Sequence, residues 1–231
     1  MSKAIFFLTL LVVTLITVPL QAKDIWKITS LNWEPYSGDA MTHQGNSIQK
    51  LRAILNAEGV KLVVEFYPWL RAKEVARKKG YIGYFPAWPE EVIEGFVGSK
   101  PIDWSEVAVM KRGDTQVEYN SIDKLFEVYS IGLVKTYIYP EIIDSRIQKY
   151  TKNIEWSSNE YSLLKMLASG RSHVAITDPS VMLYLSEKEG ISDIEVLTVL
   201  MEKELVIAFR NDEENLKKLK WLNNFLIKLQ N

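Results

Sequence analysis

The stretch Glu65–Trp88, "EFYPWLRAKEVARKKGYIGYFPAW", decides how the chain is read. It follows a β-branched run, "VKLVVEFY", that reads as a strand, and Pro68 breaks that strand into a turn. "LRAKEVARKKG" then has Leu70, Ala72, Val75 and Ala76 at helical spacing, with Gly80 as its stop. "YIGYFPAW" is a short strand that closes on Phe85, Pro86 and Trp88. The stretch is therefore strand end, loop, helix, strand, loop. Its aromatic residues crowd the two loops, where they either wall a site or fill a core.

Towards the N-terminus the same alternation continues. "DIWKITSL" is a strand broken by "NWEPYSG", whose Pro35 and Gly38 signal a turn. "NSIQKLRAILNAEG" is a helix with Ile48, Leu51, Ile54 and Leu55 on one face and Gly59 at its end. A β-α-β-α-β order implies a parallel sheet covered by helices on both faces.

Towards the C-terminus two segments resemble each other, "VAVMKRGD" at 107–114 and "LVIAFRND" at 205–212. Each is an apolar strand, a basic residue and a polar turn. Between them lies a second α/β pattern. "SIDKLFE" is a helix with Ser121 as its cap, and "YSIGLVKTYIY" is a strand and turn. "SSNEYSLLKMLASG" is a helix opened by Ser157, Ser158 or Asn159. "HVAITD" is a buried strand, and "PSVMLYLSEKEG" a helix with Pro179 in its first turn. "EENLKKLKWLNNFLIKL" ends the chain as an amphipathic helix. A segment bounded by two similar strands reads as an inserted lobe, with the two strands as a hinge. The alternative is one doubly wound sheet that contains both.

The first 22 residues are set apart. Lys3, the apolar run "AIFFLTLLVVTLITV" and "PLQA" have the layout of a cleavable secretory signal ending at Ala22. The remaining 209 residues suffice for one large domain or two small lobes. Of 28 basic residues only Lys3 leaves with the signal, so 27 face 29 acidic ones, a formal charge of −2. That balance argues against nucleic-acid binding. The absence of cysteine removes disulfide scaffolds, thiol nucleophiles and thiolate metal sites. His43 and His173 lie far apart without metal-ligand spacing. No metal, cofactor, Ser-His-Asp set or phosphate loop is read, so neither hydrolysis nor nucleotide chemistry is supported.

In order and spacing, "NWEPYSG", "FYPWLRA", "GYFPAW", "GSKPI", "IGLVKTYIYP" and "SLLKMLASGRSHVAITDPSVMLYL" resemble the exported solute-binding proteins of family 3, the amino-acid-binding-like type. The likeness covers nearly all of 24–231. It implies an α/β, two-lobed type II periplasmic binding fold, each lobe a mixed sheet flanked by helices and joined by two hinge strands. Lobe 1 is then 23–107 with 205–231, and lobe 2 is 108–204. Two departures stand out. Amino-acid binders place an arginine shortly before an "F-S-x-P" element, to fork onto the ligand carboxylate, where this chain has Glu90, Glu91 and Val92. The glycine usual in the lobe 2 turn is replaced by Thr136.

In such a fold the ligand meets strand C-termini and helix N-termini. The candidate ligand-binding residues of lobe 1 are therefore Trp33 and Tyr36, Tyr67 and Trp69, Arg71, Phe85 and Trp88. Trp33 is equally readable as core, and Arg71 as a brace to Glu65 or Glu74. From lobe 2 come Lys135, Thr136 and Tyr137, then Ser157 and Ser158, and finally Asp178. The serines and Asp178 are equally readable as helix caps, and in the family an aspartate near Asp178 takes the ligand ammonium. The function implied is capture of a small polar or aromatic-bearing solute in the periplasm, by a monomer, for an ABC importer or a membrane sensor. The alternatives are a dehydratase or lyase on the same scaffold, with Asp178 or Glu91 as the proton-transfer group, or a signalling accessory protein with little solute binding.

Overall fold

The computed structural model describes residues 24–230. The secretory-signal reading of 1–22 lies outside them. Nine strands, β1 (Ile25–Ser30), β2 (Lys61–Phe66), β3 (Gly83–Ala87), β4 (Phe96–Gly98), β5 (Asp103–Arg112), β6 (Ile131–Val134), β7 (Ile154–Ser157), β8 (Val174–Thr177) and β9 (Ile194–Arg210), form one continuous hydrogen-bonded set in the order β2-β1-β3-β9-β5-β8-β6-β7, with β4 also paired to β9.

The first half is built on β1 (Ile25–Ser30), β2 (Lys61–Phe66) and β3 (Gly83–Ala87). These pair in parallel, β1 lying between the other two, as the β-α-β-α-β order requires. The sheet as a whole is mixed, because β4 (Phe96–Gly98) and the end of β9 (Ile194–Arg210) run antiparallel to their partners. Helix α1 (Asn46–Ala57) buries Ile48, Leu51 and Leu55, the spacing read from the sequence. Helix α2 (Trp69–Ala76) ends four residues before Gly80, because the N–H groups of Arg77 and Lys78 reach back only three residues and tighten the last turn. Gly83 admits no side chain, since a Cβ there would stand 1.8 Å from the Ala208 carbonyl oxygen on β9.

The second half contains β5 (Asp103–Arg112), β6 (Ile131–Val134), β7 (Ile154–Ser157) and β8 (Val174–Thr177). Strand β8 is antiparallel to β5 and parallel to β6, which is parallel to β7. Four helices flank this sheet: α3 (Ile122–Val128), α4 (Glu141–Lys149), α5 (Glu160–Ala168) and α6 (Pro179–Lys188). Ser121 caps α3, accepting the Lys124 N–H at 3.2 Å. Asn159, not either serine, caps α5 by accepting from the Ser162 N–H at 2.8 Å. Helix α7 (Glu213–Gln230) returns to the first half, where Trp221 meets Trp26 edge to face at 5.5 Å.

Two long strands join the halves. Strands β5 and β9 pair from Asp103↔Leu205 to Arg112↔Ile194, with register shifts after Val107 and Val109. One residue beyond Leu205, Val206 already pairs with Ala87 of β3. Strand β9 thus passes from one half to the other without interruption. The two segments that resemble each other in sequence belong to these crossing strands.

Candidate functional site

Parallel strands end together, and the turns that follow β1, β2 and β6 converge on a cleft of about 610 Å³ between the halves. From the first half come Asn32, Trp33, Glu34 and Asp39 after β1, and Phe66 to Leu70 between β2 and α2. From the second come Val134, Thr136 and Tyr137 after β6, Ser158 to Tyr161 at the start of α5, and Val181, Leu185 and Lys188 on α6. A smaller hollow of about 30 Å³ adjoins the cleft, lined by Trp33, Trp69, Pro86, Trp88, Glu91 and Tyr137 among others.

A chain of rings crosses this region. Tyr36 stacks on Trp33 at 4.6 Å, Trp33 meets Trp88 edge-on at 6.1 Å, and Trp88 meets Tyr137 of the opposite lobe at 6.1 Å. Two polar ties accompany them. The Tyr36 hydroxyl donates to Asp178 Oδ2 at 3.0 Å, and the Ile138 N–H donates to Glu91 Oε1 at 2.8 Å. At the mouth, Lys188 Nζ stands 3.9 Å from Glu34 Oε1.

Three carboxyls lie deep in this zone, each satisfied differently. Glu91 is ion-paired with Lys73 at 2.6 Å, both side chains being buried. Asp178 caps α6 through the Val181 N–H at 2.9 Å, and also accepts from the Glu106 N–H at 3.1 Å and from Tyr36. Burial pushes it up to about 6. Glu160, the first residue of α5, accepts the Thr177 hydroxyl at 2.7 Å on both oxygens, and burial pushes it up to about 7. Burial likewise raises the phenols of Tyr36 and Tyr137. The buried indole N–H of Trp33 has no hydrogen-bond partner, although it is directed towards Glu160.

At the outer wall the Tyr67 hydroxyl donates to Glu65 Oε2 at 2.8 Å, which pushes Tyr67 up to about 12. Glu65 is held at about 2, first by the hydrogen bond from Lys27 and then by that from Tyr81.

The structure brings six of the sequence-derived candidates to the cleft: Trp33, Tyr67, Trp69, Thr136, Tyr137 and Ser158. Trp88 lines the adjoining hollow, and Tyr36 and Asp178 tie the lobes together. Four candidates are placed elsewhere. Phe85 is wholly buried in the core, because β3 is covered on both faces. Ser157 turns its hydroxyl onto the Leu133 carbonyl at 3.0 Å, and Lys135 is exposed outside the lining. Arg71 is exposed and lies over the Tyr67 ring at 5.4 Å, while Arg77 is the residue that pairs with Glu74. Glu160 has no counterpart among the candidates. Its only sequence signal is an acid in the first turn of a helix, which reads as an ordinary partner of the helix dipole.

No protein-family model matches the chain. One curated protein, Protein SCP160 of Saccharomyces cerevisiae, is 27% identical over 134 residues. The match covers 58% of this chain and spans only 10% of that protein's length. Solved structures match almost the whole chain. A histidine kinase sensor domain with similarity to periplasmic binding proteins superposes with a TM-score of 0.75 at 14% identity, over 90% of this chain and 91% of that one. An arginine transport-system periplasmic binding protein from Legionella pneumophila gives 0.70 at 13% identity, over 90% and 94%. An ancestral amino acid-binding protein, a precursor of cyclohexadienyl dehydratase, gives 0.68 at 16% identity, over 89% of each chain. The chain therefore has the two-lobed, mixed α/β type II fold of the periplasmic binding proteins.

Proposed function

We propose that the protein is a non-catalytic periplasmic receptor that captures a small polar or aromatic-bearing solute between its lobes. It would hand that solute to an ABC importer or report it to a membrane sensor, acting as a monomer exported by residues 1–22. The lobes would be 23–107 with 205–231, and 108–204. The observation that carries this reading is the cleft itself. Its volume of about 610 Å³ suits a small molecule, and both lobes contribute aromatic and hydroxyl-bearing walls where only β5 and β9 cross. The solved structures of similar fold, mainly binding proteins and a sensor domain, support it. The walls we assign to solute contact are Trp33, Tyr67, Trp69, Thr136, Tyr137 and Ser158, to which the structure adds Asn159, Glu160 and Tyr161.

The test is thermal unfolding of residues 23–231 against a panel of amino acids, amines, sugars and organic acids. A ligand at about one hundred times its Kd adds about 2.7 kcal/mol, which for a chain of this size raises Tm by roughly 5–10 °C. Failure of every class to raise Tm would overturn the receptor reading.

One observation favours a second reading. A buried carboxyl in a cleft, poised near neutrality as Glu160 is, has the properties of a general acid or base, and one structure of similar fold is a dehydratase precursor. Recovery of the hit solute unchanged after incubation separates receptor from enzyme.

A further inference from the structure

We propose that the solute is an amine without a carboxylate, and that its ammonium group sits against Glu160 between the Trp33 and Tyr137 rings. This rests on the receptor reading above and names the class of ligand that the cleft is built to take.

The argument begins with an imbalance. Of the deeply buried carboxyls, Glu91 has a full counter-charge in Lys73, and Asp178 has three donors in Tyr36, Glu106 and Val181. Glu160 is 5% exposed and accepts a single Thr177 hydroxyl proton across its two oxygens, while the Tyr137 hydroxyl and the Trp33 indole N–H, both neutral donors, are turned towards it. Among the described residues no cation is ion-paired with it. A buried carboxylate is tolerated when a positive charge or several donors compensate it. Glu160 lines the cleft, so a solute ammonium can reach it and supply what the protein does not.

A second observation lies beside the same carboxyl. The Trp33 indole N–H is buried, lacks a partner and belongs to the wall of the same cleft. Buried donors are normally satisfied, and an unpartnered one that lines a ligand cleft marks a contact left for the ligand. It is turned towards Glu160 without reaching it, so the space between the ring and the carboxyl lies open to the solute. The Tyr137 ring and the face of Trp33 not stacked on Tyr36 add the electron-rich surface on which cations rest, whereas Trp69 already has Lys73 at 5.0 Å.

A carboxylate-bearing solute meets the opposite environment. Among the described residues lining the cleft the one cation is Lys188, which stands at the mouth beside Glu34. Glu34, Asp39 and Glu160 give the lining three acidic groups against that lysine. At the α5 N-terminus the Ser162 N–H is already taken by the Asn159 side chain. Arg71, the guanidinium nearest in sequence, lies exposed over Tyr67 and outside the lining. Nothing in this wall forks onto a carboxylate, and three groups repel one.

The test is titration calorimetry of residues 23–231 with matched pairs that differ only in the carboxylate: tyramine and tyrosine, histamine and histidine, agmatine and arginine, putrescine and ornithine. The expected result is that at least one amine binds at least tenfold more tightly than its amino acid. Glu160→Gln should weaken that amine tenfold or more, and Trp33→Phe by a smaller factor, with unchanged circular dichroism. The matched-pair comparison needs no variant, so it decides the question even where a substitution unfolds the protein. The inference is overturned by an amino acid that binds as tightly as its amine, by binding that Glu160→Gln leaves unchanged, or by no amine binding at all. Where no amine binds but a sugar or organic acid raises Tm, the receptor reading survives and the amine inference falls. Where nothing binds, both fall.

Discussion

Glu91 Oε1 accepts a 2.8 Å hydrogen bond from the backbone N–H of Ile138, so a carboxyl of lobe 1 is fastened to the turn after β6 in lobe 2. Its other oxygen is held at 2.6 Å by Lys73, which also lies 5.0 Å from the Trp69 ring centre. The carboxylate at this place in the chain is thus compensated from within the protein. The protein's own groups tie the lobes here and at Tyr36–Asp178.

The Lys73–Glu91 pair is expected to act as a unit. Lys73→Met should destabilise by about 3–5 kcal/mol, because it strands a buried charge. The double variant Lys73→Met/Glu91→Gln should recover most of that loss, since an apolar group replaces the ammonium and the amide oxygen still accepts from Ile138. Urea denaturation of the single and double variants measures this. A double variant as unstable as Lys73→Met would show that the pair is not the source of the effect.

The Tyr36 hydroxyl bridges the lobes at Asp178, so Tyr36→Phe removes one tie while leaving the ring stacked on Trp33. The expected loss is about 1–2 kcal/mol in stability. Because the bond spans the cleft, the variant should also expand in solution scattering without solute. An unchanged radius of gyration would assign Tyr36 to stability alone.

At the head of α5, capping and cleft contact fall to different residues. Asn159→Ala should destabilise by about 1 kcal/mol, because its oxygen satisfies an otherwise orphaned helix N–H. Ser158→Ala should change stability little, its hydroxyl being exposed and bonded only to Ser162. Chemical denaturation of both variants distinguishes cap from neighbour, and equal losses would contradict the assignment.

The fold was legible because strands β1, β2, β3, β6 and β8 are short apolar runs punctuated by Pro, Gly and Asp, and because α1, α5 and α7 carry wide apolar faces. Elements that bury little left little pattern. Helix α4 buries only Ile143, and the first half of β9 exposes Glu195, Val196, Val199 and Glu202 along a largely solvated strand. The cleft was partly legible, since loops at the ends of parallel strands carried Trp33, Tyr67, Trp69 and Tyr137. Phe85 misled because a strand covered on both faces buries successive residues, so an aromatic at its end need not face a cleft. Glu160 was illegible for a different reason. Thr177 and Tyr137, which enclose it, are 17 and 23 positions away, and no local spacing reports such a meeting.

Stability should fall as pH rises from about 4.5 to 7, and Glu160 should be the main cause. Its carboxyl ionises near 4.5 in the unfolded chain and at about 7 in the folded one, raised by burial. Within that window the folded state binds the extra proton, so the slope of stability against pH is negative. The contribution is fully present below 4.5 and is lost once pH passes 7, a difference of roughly 3 kcal/mol at about 1.4 kcal/mol per pH unit. Asp178, raised to about 6, adds to the same fall between its ordinary value near 3.8 and 6. Glu65 acts in the opposite sense and in a different range. Held at about 2 by Lys27 and Tyr81, it loses its contribution only as pH drops below 4.5. Urea denaturation at half-unit steps from pH 5 to 8 measures the curve. Glu160→Gln, which cannot ionise, should flatten it by the Glu160 share, and an equal slope in wild type and variant would place the proton uptake elsewhere. A bound ammonium would favour the ionised carboxyl and pull its titration below 7, so an amine that binds at Glu160 should also flatten the wild-type curve.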